Sequence, residues 1–114
     1  MKTILIIEDN IGIQKQLKWS LSDYELVFAQ DRASALTQLR RYEPEVVTLD
    51  LGLPPDPANA SEGLACLNDI LALKPNCKVV VITGNTDTEH ALKAIALGAY
   101  DYYQKPVDPE VLNI

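Results

Sequence analysis

Short apolar runs alternate along the chain with stretches in which apolar side chains recur every three or four positions. The runs are Thr3–Ile7, Glu25–Ala29, residues 45–49, Lys78–Thr83 and residues 99–103. Three of them are almost continuously apolar and rich in Val and Ile, the composition of parallel strands buried on both faces. Glu25–Ala29 is weaker and suits a sheet edge. Between the runs, Ile13, Leu17 and Leu21 recur every four residues and predict a helix over residues 11–22. Asp31 is a candidate N-cap for a second helix reaching about Tyr42, with Ala35, Leu36 and Leu39 as its apolar stripe. Leu64, Leu67 and Leu71 mark a third, closed by Lys74 and Pro75. Ala91, Leu92, Ile95 and Ala96 mark a fourth, stopped by Gly98 at the C′ position. A fifth begins at Asp108-Pro109-Glu110 and ends with the chain at Ile114 after little more than a turn.

The pattern is (βα)5 with the last helix truncated. It predicts an α/β fold, a doubly wound five-stranded parallel sheet with right-handed crossovers and helices on both faces. One connection stands out, residues 53–61 (LPPDPANAS), rich in Pro and too long for a minimal strand-to-helix turn.

Composition narrows the function classes. At 114 residues the chain is one domain. Its net charge is −6, with 6 basic and 9 acidic residues up to Pro57 and 4 and 7 after it. With no basic arm, direct binding to nucleic acid or to an anionic membrane is not expected. The longest uncharged apolar strings, four residues each, neither span a bilayer nor make a signal-peptide core. Cys66 and Cys77 lack a CxxC or His-rich context and read as reduced thiols of a cytoplasmic protein.

Ligand sites in open parallel sheets lie beyond the carboxyl ends of the strands. There the first run is followed by Glu8 and Asp9 and the third by Asp50; the fourth ends in Thr83, and Lys105 follows the fifth. Three adjacent carboxylates repel one another unless a cation sits among them, and an all-oxygen site suits Mg2+ or Mn2+. Glu8 and Asp9 could instead be an N-cap pair ahead of Ile11, which explains one acid but not acids at two strand ends. Asp50, beside a divalent cation, could act as a nucleophile toward phosphorus; as a plain loop cap it would do nothing chemical. Thr83 could donate to a phosphoryl oxygen, and Lys105 could neutralise one, although a strand-end Thr or a solvated loop Lys is unremarkable alone.

Together the segments ILIIEDN, VVTLDLGLP, VVVITG and AYDYYQKPVD, in this order and across nearly the whole chain, resemble the receiver domain of a two-component response regulator. The resemblance implies a flavodoxin-like strand order of 2-1-3-4-5. It implies that Asp50 accepts a phosphoryl group from a cognate histidine kinase. Mg2+ would be held by Asp9, Asp50 and the Gly52 carbonyl, with Glu8 acting through a water. Lys105 and Thr83 would contact the phosphoryl oxygens. Tyr102, three residues before Lys105, would turn inward as Thr83 moves, whereas Tyr103 faces the opposite side by alternation. The Lys105–Pro106 peptide would be cis. The output surface would be the fourth helix, fifth strand and fifth helix, within residues 87–114. It would control a downstream domain or protein, with transcription the expected output, and a homodimer through the same face is a further partner. The chain would be a signalling module rather than an enzyme with an external substrate.

Two features depart from the family pattern. Gly63, matched to a family glycine about eight positions past the phosphoacceptor, lies thirteen beyond Asp50, which implies an insertion of about five residues within 55–61. The short fifth helix suggests a receiver at the front of a longer protein. Among rival readings, haloacid-dehalogenase-like phosphatases space their aspartates as DxD, while Glu8-Asp9-Asn10 is contiguous. Nucleotide- and flavin-binding proteins need a phosphate loop that Gly12 alone does not make. A receiver degenerated to a contact module would not be expected to keep every chemical position filled.

Overall fold

The structure, a computed structural model, describes residues 2–55, 60–84 and 88–105. Along them run β1 (Thr3–Ile7), α1 (Ile11–Ser20), β2 (Glu25–Ala29), α2 (Arg32–Tyr42), β3 (Val46–Leu49), α3 (Ser61–Leu73), β4 (Lys78–Thr83), α4 (Thr88–Leu97) and β5 (Asp101–Gln104). The strands form one parallel sheet in the order β2-β1-β3-β4-β5, so the weak run at Glu25–Ala29 is an edge. The predicted fifth helix lies outside the described residues.

Alternation along each inner strand feeds two cores. Leu5 and Ile7 of β1 pack with Val47, Leu49, Val79 and Val81 beneath Leu39, Leu67 and Ile70 of the helices. Ile4 and Ile6 point the other way, to Leu17, Leu21, Val46, Val80 and Ile82. Burial on both faces is why these runs carry no polar alternation.

Four boundaries differ from the sequence expectation. α1 stops at Ser20, because Leu21 is its C-cap and donates its N–H to the Leu17 carbonyl. β3 starts at Val46 rather than at residue 45. β5 runs from Asp101 to Gln104 rather than over residues 99–103; its start is later because Ala99 is used to end α4, and its end later because Gln104 still pairs with Thr83. Gly98, at φ 114°, donates to the Ile95 carbonyl and Ala99 to the Ala94 carbonyl, the paired bonds of a Schellman motif.

Asp31 caps α2 as expected. Its carboxylate accepts the Ser34 N–H at 2.8 Å, while the Ser34 hydroxyl accepts the Asp31 N–H at 3.2 Å. These bonds hold the Asp31 carboxyl below its ordinary value of 3.8. A carboxyl lowered by folding stabilises fully above its unfolded value and loses that contribution as pH falls through the folded one. Asp31→Ala should therefore cost about 1 kcal/mol in urea unfolding at neutral pH, and its difference from the wild type should shrink in acid below pH 3.8. Cys66 and Cys77 are free, buried thiols, pushed up to about 12 and about 11 chiefly by burial.

Candidate functional site

The backbone sets the site one residue beyond the sheet. Glu8, Asp50 and Lys105 each follow the last residue of a strand, and each amide still donates to the final carbonyl of a neighbouring strand. Glu8 bonds to Ala29 at 2.9 Å, Asp50 to Ile7 at 3.0 Å and Lys105 to Thr83 at 2.9 Å. The ladder thus fixes the Cα positions, and three reactive side chains leave the same edge together.

Carboxylate oxygens of Glu8, Asp9 and Asp50 all lie within 4.8 Å of one another. Glu8 is 2% exposed and Asp50 8%. Neither Glu8 nor Asp9 caps α1; that role belongs to Asn10, whose side-chain oxygen accepts the Ile13 N–H at 3.1 Å. The capping alternative for the two acids is thereby removed. Lys105 Nζ donates to Glu8 Oε1 and stands 3.5 Å from Asp50 Oδ2. Asp50 Oδ1 accepts the Gly52 N–H at 3.1 Å, so one carboxylate oxygen is pinned by its own loop and the other turns toward the ammonium.

Burial pushes the Glu8 carboxyl up to about 7, opposed by its bond from Lys105 and reinforced by the charge of Asp50. Among the described residues a single ammonium stands beside three acids, which leaves the pocket short of positive charge. The donor set is hard oxygen throughout, which fits Mg2+ or Mn2+ and not a soft metal.

Thr83 is buried at the end of β4, opposite Gln104 in the β4–β5 register. Tyr102 packs against the core that holds Leu5 and Val81, and Tyr103 against the one that holds Ile82, so the two rings take opposite faces as alternation required. Tyr103 donates its hydroxyl to Asp101 Oδ2 at 3.1 Å. Pro106, and with it the expected cis bond after Lys105, lies outside the described residues.

Two contacts of the site are not legible in the sequence. Gln14 of α1 donates its side-chain amide to the Glu8 carbonyl, steadying the turn that carries the acids. Gly63, in the first turn of α3, meets the backbone just after Asp50: a Cβ there would lie 2.3 Å from Leu51 Cα and 2.4 Å from its carbonyl oxygen. Leu53 and Ala60 anchor the two ends of the long connection in the core, and the Pro54–Pro55 bond is cis. Residues 56–59, which carry most of the expected insertion, lie outside the described residues.

Comparison with known proteins agrees with this geometry. The family profile of the response regulator receiver domain matches residues 4–113. A protein-glutamate methylesterase/protein-glutamine glutaminase of Rhodospirillum rubrum is 35% identical over 119 residues, covering all of this chain and 30% of its own length. The alginate biosynthesis transcriptional regulatory protein AlgB of Pseudomonas putida is 32% identical over 113 residues, covering 97% of this chain and 24% of its own. A CheY-like response regulator receiver domain protein from Methanospirillum hungatei superposes with a TM-score of 0.88 at 28% identity, covering 98% of this chain and 87% of that one. The chain thus spans less than a third of both curated relatives.

Proposed function

Because the chain belongs to the response regulator receiver domain family, we propose that it is a phosphorylation switch in which Asp50 is the acceptor. The observation that carries this reading is the state of the Asp50 carboxylate: buried, held at Oδ1 by the Gly52 amide, and facing an ammonium at Oδ2. In the transfer, the P–N bond of a kinase phosphohistidine breaks and a P–O bond to Asp50 forms. The imidazole leaves with the electron pair of the broken bond.

Asp9, Asp50 and the Gly52 carbonyl would hold Mg2+, with Glu8 acting through a water. Bound there, the ion supplies neutralisation of the phosphoryl charge. Lys105 supplies a second, fixed positive charge at the same edge, and Thr83 a hydroxyl for the phosphoryl oxygens. A phosphoryl group on Asp50 favours the packing in which Thr83 is drawn toward it and Tyr102 turns inward, a population shift between two arrangements. Its readout is the face formed by α4, β5 and the residues that follow. Leu92, Ile95 and Tyr100, all exposed, give that face apolar contacts for an output domain, a partner protein or a second copy of the chain.

The partner upstream is a cognate histidine kinase, and transcription is the proposed output. The catalysis is confined to the chain's own phosphorylation and dephosphorylation. The proposed location is the cytoplasm; among the described residues no helix is long and apolar enough to cross a membrane.

Incubation with Mg2+ and acetyl phosphate, followed by intact-mass measurement, tests the reading. The wild-type protein should gain one phosphoryl group and Asp50→Asn none. Equal gain in both, or none in either, overturns it, and steady turnover of free phosphate esters would point to a phosphatase instead.

A further inference from the structure

We propose that Arg32 is a positioning residue for the Asp50–Gly52 turn, an inference that rests on the reading of Asp50 as the phosphoacceptor. Arg32 opens α2 and reaches across to α3. Its Nε donates to Asp69 Oδ2 at 2.6 Å, and its Nη1 lies 3.8 Å from Glu62 Oε1. Glu62 directly precedes Gly63, the residue whose missing side chain lets α3 rest on the Leu51 backbone. Leu51 in turn joins Asp50 to Gly52, whose amide holds the Asp50 carboxylate.

The other side of Arg32 is equally tied. It follows the Asp31 cap, and the turn into that cap leaves β2 at Ala29, whose carbonyl accepts the Glu8 amide. A continuous path therefore runs from Glu8 through Ala29, Asp31 and Arg32 to Glu62, Gly63 and Leu51, and so to Asp50. The Arg32–Glu62 pair is the step in it that spans α2 and α3, and the bond to Asp69 fixes the guanidinium that makes it. A planar guanidinium engages two carboxylates at once, which a lysine ammonium on a flexible stem does less well.

The same two helices carry a second bridge at their opposite ends. Lys74, the C-cap of α3, pairs with Glu43, the C-cap of α2, at 2.9 Å. Both bridges are partly solvated, and neither contributes much to global stability. They differ in their neighbours: one adjoins the Asp50 turn and the other the far end of the sheet. Lys74→Ala is therefore an internal control for simple loss of a helix–helix bridge.

The test compares Arg32→Ala, Arg32→Lys and Lys74→Ala with the wild type by two measurements. Amide hydrogen exchange at Gly52 in the free protein reads the turn itself. The rate of Mg2+-dependent phosphorylation by acetyl phosphate reads its consequence. Arg32→Ala should speed Gly52 exchange and slow phosphorylation, each by about fivefold. Arg32→Lys should recover part of both, and Lys74→Ala should leave both near wild type. Wild-type exchange at Gly52 in Arg32→Ala overturns the inference, and so do equal effects of Arg32→Ala and Lys74→Ala. A wild-type protein that takes no phosphoryl group overturns the acceptor reading instead, and the exchange measurement then still decides whether Arg32 holds the turn.

Discussion

Gly63→Ala is expected to destabilise the protein by about 3 kcal/mol, measured by urea unfolding. The sign is informative, because in a helix interior this change ordinarily stabilises by up to about 1 kcal/mol. Here the added methyl would stand 2.3 Å from Leu51 Cα and 2.6 Å from its carbonyl carbon. Backbone cannot rotate away as a flexible side chain can, so either α3 lifts or the exit of β3 moves. Lifting α3 uncovers Leu67 and Ile70, which are fully buried; moving the exit displaces Asp50. Phosphorylation should therefore slow even in the folded fraction of the variant. Gly84 provides the contrast, since a Cβ there meets no atom of the described residues within 4 Å. Gly84→Ala should change stability by less than about 0.5 kcal/mol.

Lys105→Met should separate two roles that the pocket combines. The substitution keeps an unbranched apolar stem and removes the ammonium that donates to Glu8 and lies 3.5 Å from Asp50. Without that charge, the carboxylates are left with no fixed cation among the described residues. Mg2+ affinity should then rise by about tenfold, because a repelling positive charge has left the same pocket. Phosphoryl uptake should nevertheless fall by about a hundredfold or more, since a fixed donor to the developing phosphoryl charge is lost. A Mg2+ titration by amide shifts and a timed acetyl phosphate reaction measure the two effects. A parallel fall in both would mean that Lys105 only maintains the shape of the pocket.

Most of the fold was legible because the sheet is buried on both sides. Continuous apolar runs at Thr3–Ile7 and Lys78–Thr83 cannot be amphipathic surface elements, and the helices between them carry clear apolar stripes. Apolar character sets the start of β5 two residues early, because it does not distinguish a strand residue from a helix terminator: Ala99 is buried, yet its amide closes α4. The carboxylates and Lys105 were legible as strand-end residues, which the sheet then brought to one edge. Gln14, Arg32 and the close approach of Gly63 to Leu51 were not, because each depends on how two helices or loops meet across a distance that periodicity does not encode. Gly63 could be matched to a family position, but only the 2.3 Å approach gives the physical reason that a side chain does not fit there.

Trapping the bond itself shows whether Asp50 is the acceptor. Borohydride reduces an aspartyl phosphate to homoserine, and peptide sequencing by mass spectrometry then locates the changed residue. After treatment with Mg2+ and acetyl phosphate, homoserine is expected at position 50 and aspartate still at position 9. Homoserine at position 9, or unchanged aspartate at position 50 in protein that carries a phosphoryl group, would contradict that role.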